Sequence, residues 1–159
     1  MVHAKGTKIR EGRKVGAGMD IERIASIAID CGLKIHQRVG PGLLESAYEI
    51  VLAHALQQRG LAVQRQLLVP IEFDGLVIDN GFRADILVEN ILLIELKAIE
   101  RLLPVHTKQV PTYLRFLELP LGLLMNFSGD TFKEGLRRVV NHHTEPLLPS
   151  LRIHRPPDA

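Results

Sequence analysis

Residues 62–98, AVQRQLLVPIEFDGLVIDNGFRADILVENILLIELKA, constrain the fold more than any other stretch of this chain. Val, Ile, Leu and Phe dominate it. Asp74-Gly75, Asn80-Gly81 and Glu89-Asn90 interrupt it with residue pairs that hairpin turns favour. The pattern predicts four strands, near 63–73, 76–80, 82–88 and 91–97. The last is apolar almost throughout until Glu95, as expected of a strand covered on both faces. Such a run needs a sheet, and the sheet needs helices over it.

The flanks supply those helices. Ile21, Ile24, Ala25, Ala28, Leu33, Ile35 and Val39 recur near the helical period, and Gly40-Pro41-Gly42 must end that helix. A second helix fits Leu43 to Arg59, closed by Gly60, with Leu44, Ala47, Tyr48, Val51, Leu52, Ala55 and Leu56 as its apolar stripe. A third runs from about Val105 to Glu118, with Pro111 either in its first turn or kinking it. LGLLMNF (121–127) reads as a short apolar strand. Residues 130–142 read as a last helix with Phe132, Leu136, Val139 and Val140 inward. The order ααββββαβα is that of an α/β sandwich, a mixed sheet flanked by helices. The strand after the third helix is expected beside the ELK strand, through a right-handed crossover. A chain of 159 residues suits one domain, expected at 19–142 between a leader (1–18) and a loose, Pro-rich tail (143–159).

Composition narrows the function. Hydrophobic residues make up 46%, enough for a core, but aromatics only 4%, so the core is aliphatic and base-stacking platforms are not expected. The net charge of +2 is uneven: Lys5, Lys8, Arg10, Arg13 and Lys14 face only Glu11 in the leader, so the remainder is mildly acidic. That arm either touches phosphate or is an upstream leader ahead of a start at Met19. A single cysteine, Cys31, permits no internal disulfide and suits a cytoplasmic protein. No signal peptide is visible, and no apolar run is long enough to span a bilayer, so no membrane partner is expected.

Three short features carry candidate chemistry. Asp85 lies in one predicted strand, and Glu95 and Lys97 lie two apart in the next, on one face of it. A charged pair inside ILLIELKAI is costly to bury unpaired. His106, Gln109 and Tyr113 share a helix face by their spacing. The third feature, RVGPGLLESAY (38–48), fails as a dinucleotide fingerprint: it is G-x-G-x-x-E and follows a helix rather than a strand. It reads as a helix break that places Glu45 in the first turn of the next helix. HHTE (142–145) has metal-ligand spacing but sits at a helix end beside the Pro-rich tail.

Gly42, Glu45 and Tyr48 spell out the GxxExxY pattern, and over about residues 20–140 the sequence resembles the GxxExxY family of the PD-(D/E)xK nuclease superfamily. The resemblance implies a restriction-endonuclease-like core and a divalent-metal-dependent nuclease acting on nucleic acid, with DNA the expected substrate. Asp85 matches the superfamily's metal-binding Asp, Glu95 and Lys97 its E-x-K, and Glu45 the acid of its first core helix. Asp85, Glu95, the Leu96 carbonyl and Glu45 are thereby implied ligands of Mg2+ or Mn2+, with Lys97 beside them in catalysis. Gln109 and Tyr113 look like the Q-xxx-Y helix motif of the RecB-type branch. With Tyr48, His106 and Arg83 they are implied as supporting or DNA-contacting residues. The four-cysteine iron–sulfur cluster of some relatives cannot form here, and no nucleotide cofactor is expected. The competing reading is a binding or regulatory module that keeps the nuclease fold without cleavage, in line with the mildly acidic body.

The metal reading makes a geometric demand. A regular two-residue turn at Glu89-Asn90 would pair Val88 with Ile91 and send Asp85 and Glu95 to opposite faces. A shared site therefore requires an odd-length loop or a β-bulge between them.

Overall fold

A computed structural model describes residues 19–142 and 151–153; the expected leader and most of the expected tail, including all but the first residue of HHTE, lie outside them. Helix α1 (Ile21–Val39) starts at Asp20, whose carboxylate accepts the Arg23 N–H at 2.8 Å, and α2 (Glu45–Gln58) follows a short break. Strands β1 (Val63–Phe73), β2 (Leu76–Val88) and β3 (Leu92–Lys97) come next, then α3 (Pro104–Leu117), β4 (Leu121–Asn126), the single turn α4 (Phe132–Gly135), β5 (Leu136–Val140) and β6 (Leu151–Ile153). The described strands form one mixed sheet in the order β5-β4-β3-β2-β1-β6, in which only the β3–β4 pair is parallel. That parallel pair is the expected neighbour of the ELK strand, reached through α3.

Alternation along β3 builds two cores. Leu92, Ile94 and Leu96 face α1 and α2, together with Ile86, Val88, Leu123 and Met125. Leu93 faces α3, with Leu87, Leu124, Val110 and Leu114. Each fully buried Leu or Ile is worth about 1.5–3 kcal/mol relative to exposure, so this doubly covered strand anchors the domain.

Four expectations change. Asn80-Gly81 makes no turn: β2 runs through it, and the β1 register shifts between Val69 and Ile71 instead. A Cβ on Gly81 would lie 2.6 Å from the Ile71 side chain, so glycine permits a close approach there, opposite Pro70, which has no N–H to donate. The expected helix at 130–142 is one turn followed by β5. Leu136 packs toward the α1–α2 side and Val139 toward α3, an alternation that helical spacing cannot give. The stripe of α2 is rotated: Tyr48, Glu49, Leu52, Ala53 and Leu56 are buried, whereas Leu44 and Val51 are exposed. Finally, Leu151–Ile153 of the expected loose tail pairs antiparallel with Ile71–Phe73.

Candidate active site

The β2–β3 hairpin meets the geometric demand. Ile86 pairs with Ile94, Leu87 with Leu93 and Val88 with Leu92, which leaves a three-residue loop, 89–91. Glu89 and Asn90 both adopt positive φ there, 52° and 54°. Continuing this register sets Asp85 opposite Glu95. The regular ladder has stopped by then, and the side chains take over its hydrogen bonds. The Asp85 N–H donates to Glu95 Oε1 at 3.1 Å, and the Leu96 N–H donates to Asp85 Oδ2 at 2.9 Å. The two acids thus stand where β2 and β3 part.

Burial and charge set the state of this pair. Glu95 is 2% exposed. Desolvation first, and then the charge of Asp85, push its carboxyl up to about 9, against the weaker pull of Lys97. Without a cation the pair therefore holds a proton near neutrality. Glu45, half-buried at the start of α2, is raised by burial, by Asp85 and by Glu49, while Lys97 pulls it down. Glu45, Asp85, Glu95 and Lys97 thus feel one another's charge, and Lys97 makes no direct ion pair among the described residues.

The remaining candidates divide. Gln109 Nε2 donates to Tyr113 Oη at 2.7 Å, so the two do share a face of α3. Burial raises the pKa of the Tyr113 hydroxyl against the pull of the Gln109 hydrogen bond, and the charges of Glu95 and Asp85 add weakly to the rise. Its ring stacks on Phe82 at 4.2 Å. Arg83 is exposed on β2. His106 is used by its own helix: its Nδ1 accepts the Leu103 N–H at 2.9 Å and caps the start of α3. Tyr48 is fully buried, with its ring stacked on Phe127 at 4.6 Å. Its hydroxyl donates to the Gly40 carbonyl at 2.5 Å and accepts the Leu43 N–H at 3.2 Å. It has no surface with which to touch nucleic acid. It clamps the Gly40-Pro41-Gly42 break, where the two glycines take φ of 71° and 117°. Pro111 lies inside α3 rather than in its first turn.

The sequence matches the PD-(D/E)XK nuclease superfamily over residues 22–139. This chain belongs to that superfamily. Neither a search of curated proteins nor a search of solved structures finds a match.

A PD-(D/E)XK nuclease is expected to hold a divalent cation with acidic side chains, and the donors here are of the right kind, hard carboxylate oxygens. The fit is that of a pair. Among the described residues no group of three His, Cys, Asp or Glu comes together closely enough to hold a metal ion, so Glu45 is a neighbour of the pair and not a third member of a closed cluster. The pair itself suits a cation, which would allow Asp85 and a desolvated Glu95 to ionise side by side.

Sequence reasoning passed over Glu49. It is 3% exposed, and its carboxylate accepts Arg65 Nε at 3.1 Å and Gln66 Nε2 at 2.5 Å. The signal was present: Glu49 falls three before Leu52 and seven before Leu56, on the true inner face of α2. An acid on such a face requires partners.

Proposed function

We propose that this PD-(D/E)XK nuclease is of the GxxExxY type and is a Mg2+- or Mn2+-dependent cytoplasmic enzyme that hydrolyses phosphodiester bonds of DNA. The observation that carries this reading is the opposed Asp85–Glu95 pair where β2 and β3 part, with Lys97 two residues beyond Glu95. Asp85, Glu95 and the Leu96 carbonyl would hold the cation, and Glu45, which feels the charges of Asp85 and Lys97 from the start of α2, would act through a water on it. Such a cation, when bound, offsets the charge that builds on the phosphate and lowers the pKa of water to the neutral range. Lys97 supplies a second positive charge to the reacting phosphate or takes the proton of the attacking water. Gln109 and Tyr113 steady this corner from α3, and exposed Arg83 meets the DNA backbone.

Incubation of supercoiled plasmid, single- and double-stranded oligodeoxynucleotides and RNA with the protein and Mn2+ tests the reading. The expected result is metal-dependent cleavage of DNA that falls by about 10²–10³-fold in Lys97→Ala and Glu95→Gln. Equal cleavage by wild type and variants would mark contamination and remove the assignment. Binding of nucleic acid without cleavage would favour the module that keeps the fold without the chemistry.

A further inference from the structure

Strands β1 and β2 change faces together at one rung. In β2, Ala84 packs into the α3-side core and Ile86 into the α1–α2 side, although residues two apart in a regular strand share a face. In β1, Val63 packs toward α1–α2 and Leu67 toward α3, again against the period of two. Between the pairs Arg65–Ile86 and Leu67–Ala84 stand Gln66 and Asp85, opposed to each other but absent from the regular pairing. Gln66 takes φ 52°, a left-handed conformation that a strand residue rarely adopts. Its side chain reaches across to the buried Glu49 of α2, which also takes Arg65.

From this we infer that Glu49 and Gln66 are positioning residues for Asp85. Glu49 tethers the Gln66 amide, and the tether holds Gln66 in its left-handed conformation. That conformation reverses the faces of both strands at the rung they share with Asp85. The reversal turns the Asp85 carboxylate off the sheet faces and into the gap beside β3, where it accepts the Leu96 N–H opposite Glu95. Gln66 is exposed on its outer side, and Glu49 provides its anchor in the interior. The role for metal binding rests on the proposed nuclease reading; the role in fixing the rung does not.

Hydrogen exchange of the metal-free protein reads the rung directly. In Glu49→Ala, and in Gln66→Val, whose β-branched side chain opposes positive φ, the Leu96 and Asp85 amides should exchange at least about tenfold faster. The amides of β4, such as Leu123, should keep their rates. Glu49→Gln, which still offers an acceptor to Gln66, should stay close to wild type. Calorimetry with Mn2+ should show a loss of about 10–100-fold in affinity for Glu49→Ala and Gln66→Val, the range typical of residues that orient metal ligands. Unchanged exchange at Leu96 and Asp85, or an equal acceleration of every amide, overturns the inference. If wild type binds no Mn2+, the metal reading fails, and the exchange data still decide the role of the rung. Should Glu49→Ala not fold, Gln66→Val against Glu49→Gln makes the same comparison.

Discussion

β3 has two neighbours and keeps company with them for different lengths. With β4 it pairs along its whole extent, from Leu92–Leu121 to Lys97–Asn126, and the Phe127 N–H then reaches back to the Lys97 carbonyl at 2.9 Å. With β2 it pairs only from Leu92 to Ile94. On the β4 side the backbone supplies the hydrogen bonds, and buried Asn126 extends them by binding both the N–H and the carbonyl of Ile99. On the β2 side the carboxylates of Asp85 and Glu95 stand in for backbone acceptors. One side of the strand is therefore scaffold and the other is an opening lined with acids. Lys97, at the end of the same strand, is held by the first and stands beside the second.

The comparison predicts that changes on the opening side strike function and changes on the scaffold side strike stability. The largest effect is expected for Asp85→Ala, with cleavage lowered by about 10³-fold or more. Stability should move little. The Leu96 N–H loses its acceptor at a cost of about 1 kcal/mol, and Glu95 is released from a neighbouring charge. Steady-state cleavage and urea unfolding on the same preparation check both halves. Asn126→Ala is the counterpart. It removes the partner of both the N–H and the carbonyl of part-buried Ile99 and should cost about 2–3 kcal/mol in urea unfolding, with cleavage per folded molecule much less affected than in Asp85→Ala. If Asn126→Ala removes activity as fully as Asp85→Ala without unfolding, the division between the two sides of β3 is wrong.

Much of this opening was legible in the sequence because register is discrete. Asp85 and Glu95 share a site only with an odd loop or a bulge, and the hairpin has a three-residue loop. The ends of α1 were legible through Asp20 and Gly40, which act locally. What escaped depends on contacts between distant segments. Asn80-Gly81 carries a turn signal, but its glycine serves the close approach of Ile71 across the strand pair. Leu136 and Val139 fit a helical face as well as they fit two faces of a strand, and the free edge of β4 decided between them. Glu49 was hidden because an acid on a helix reads as solvated until its neighbours on β1 are known.

The opening side should also carry a pH signature that the scaffold side lacks. In the fold, Glu95 holds its proton up to about 9, whereas the unfolded chain releases it near 4.5. Between those values the folded state binds the extra proton, so stability falls as pH rises through the window and levels off above it. Thermal unfolding in EDTA across this range should show that slope, and Glu95→Gln should flatten it. Mn2+ should reverse it at the alkaline end, where Glu95 has released its proton and can meet the cation. A slope that survives in Glu95→Gln would assign the proton to another group and separate the raised carboxyl from the opening.

The smallest expected effect sharpens the boundary between the two sides. Tyr48 stacks on Phe127, directly after β4, and its hydroxyl clamps the turn that leads into Glu45. It therefore belongs to the scaffold by packing and touches the opening only through the start of α2. Tyr48→Phe keeps the ring and its stacking and removes two hydrogen bonds around Gly40 and Leu43. The cost should be about 1 kcal/mol in urea unfolding. The Leu43 amide should exchange faster, because its acceptor is gone, while amides of β3 keep their rates. Cleavage should drop only slightly, since Glu45 remains within the field of Asp85 and Lys97 from a helix whose other packing is intact. A loss as deep as that of Asp85→Ala would mean that the hydroxyl takes part in the chemistry, and the line drawn down β3 would have to move to include α2.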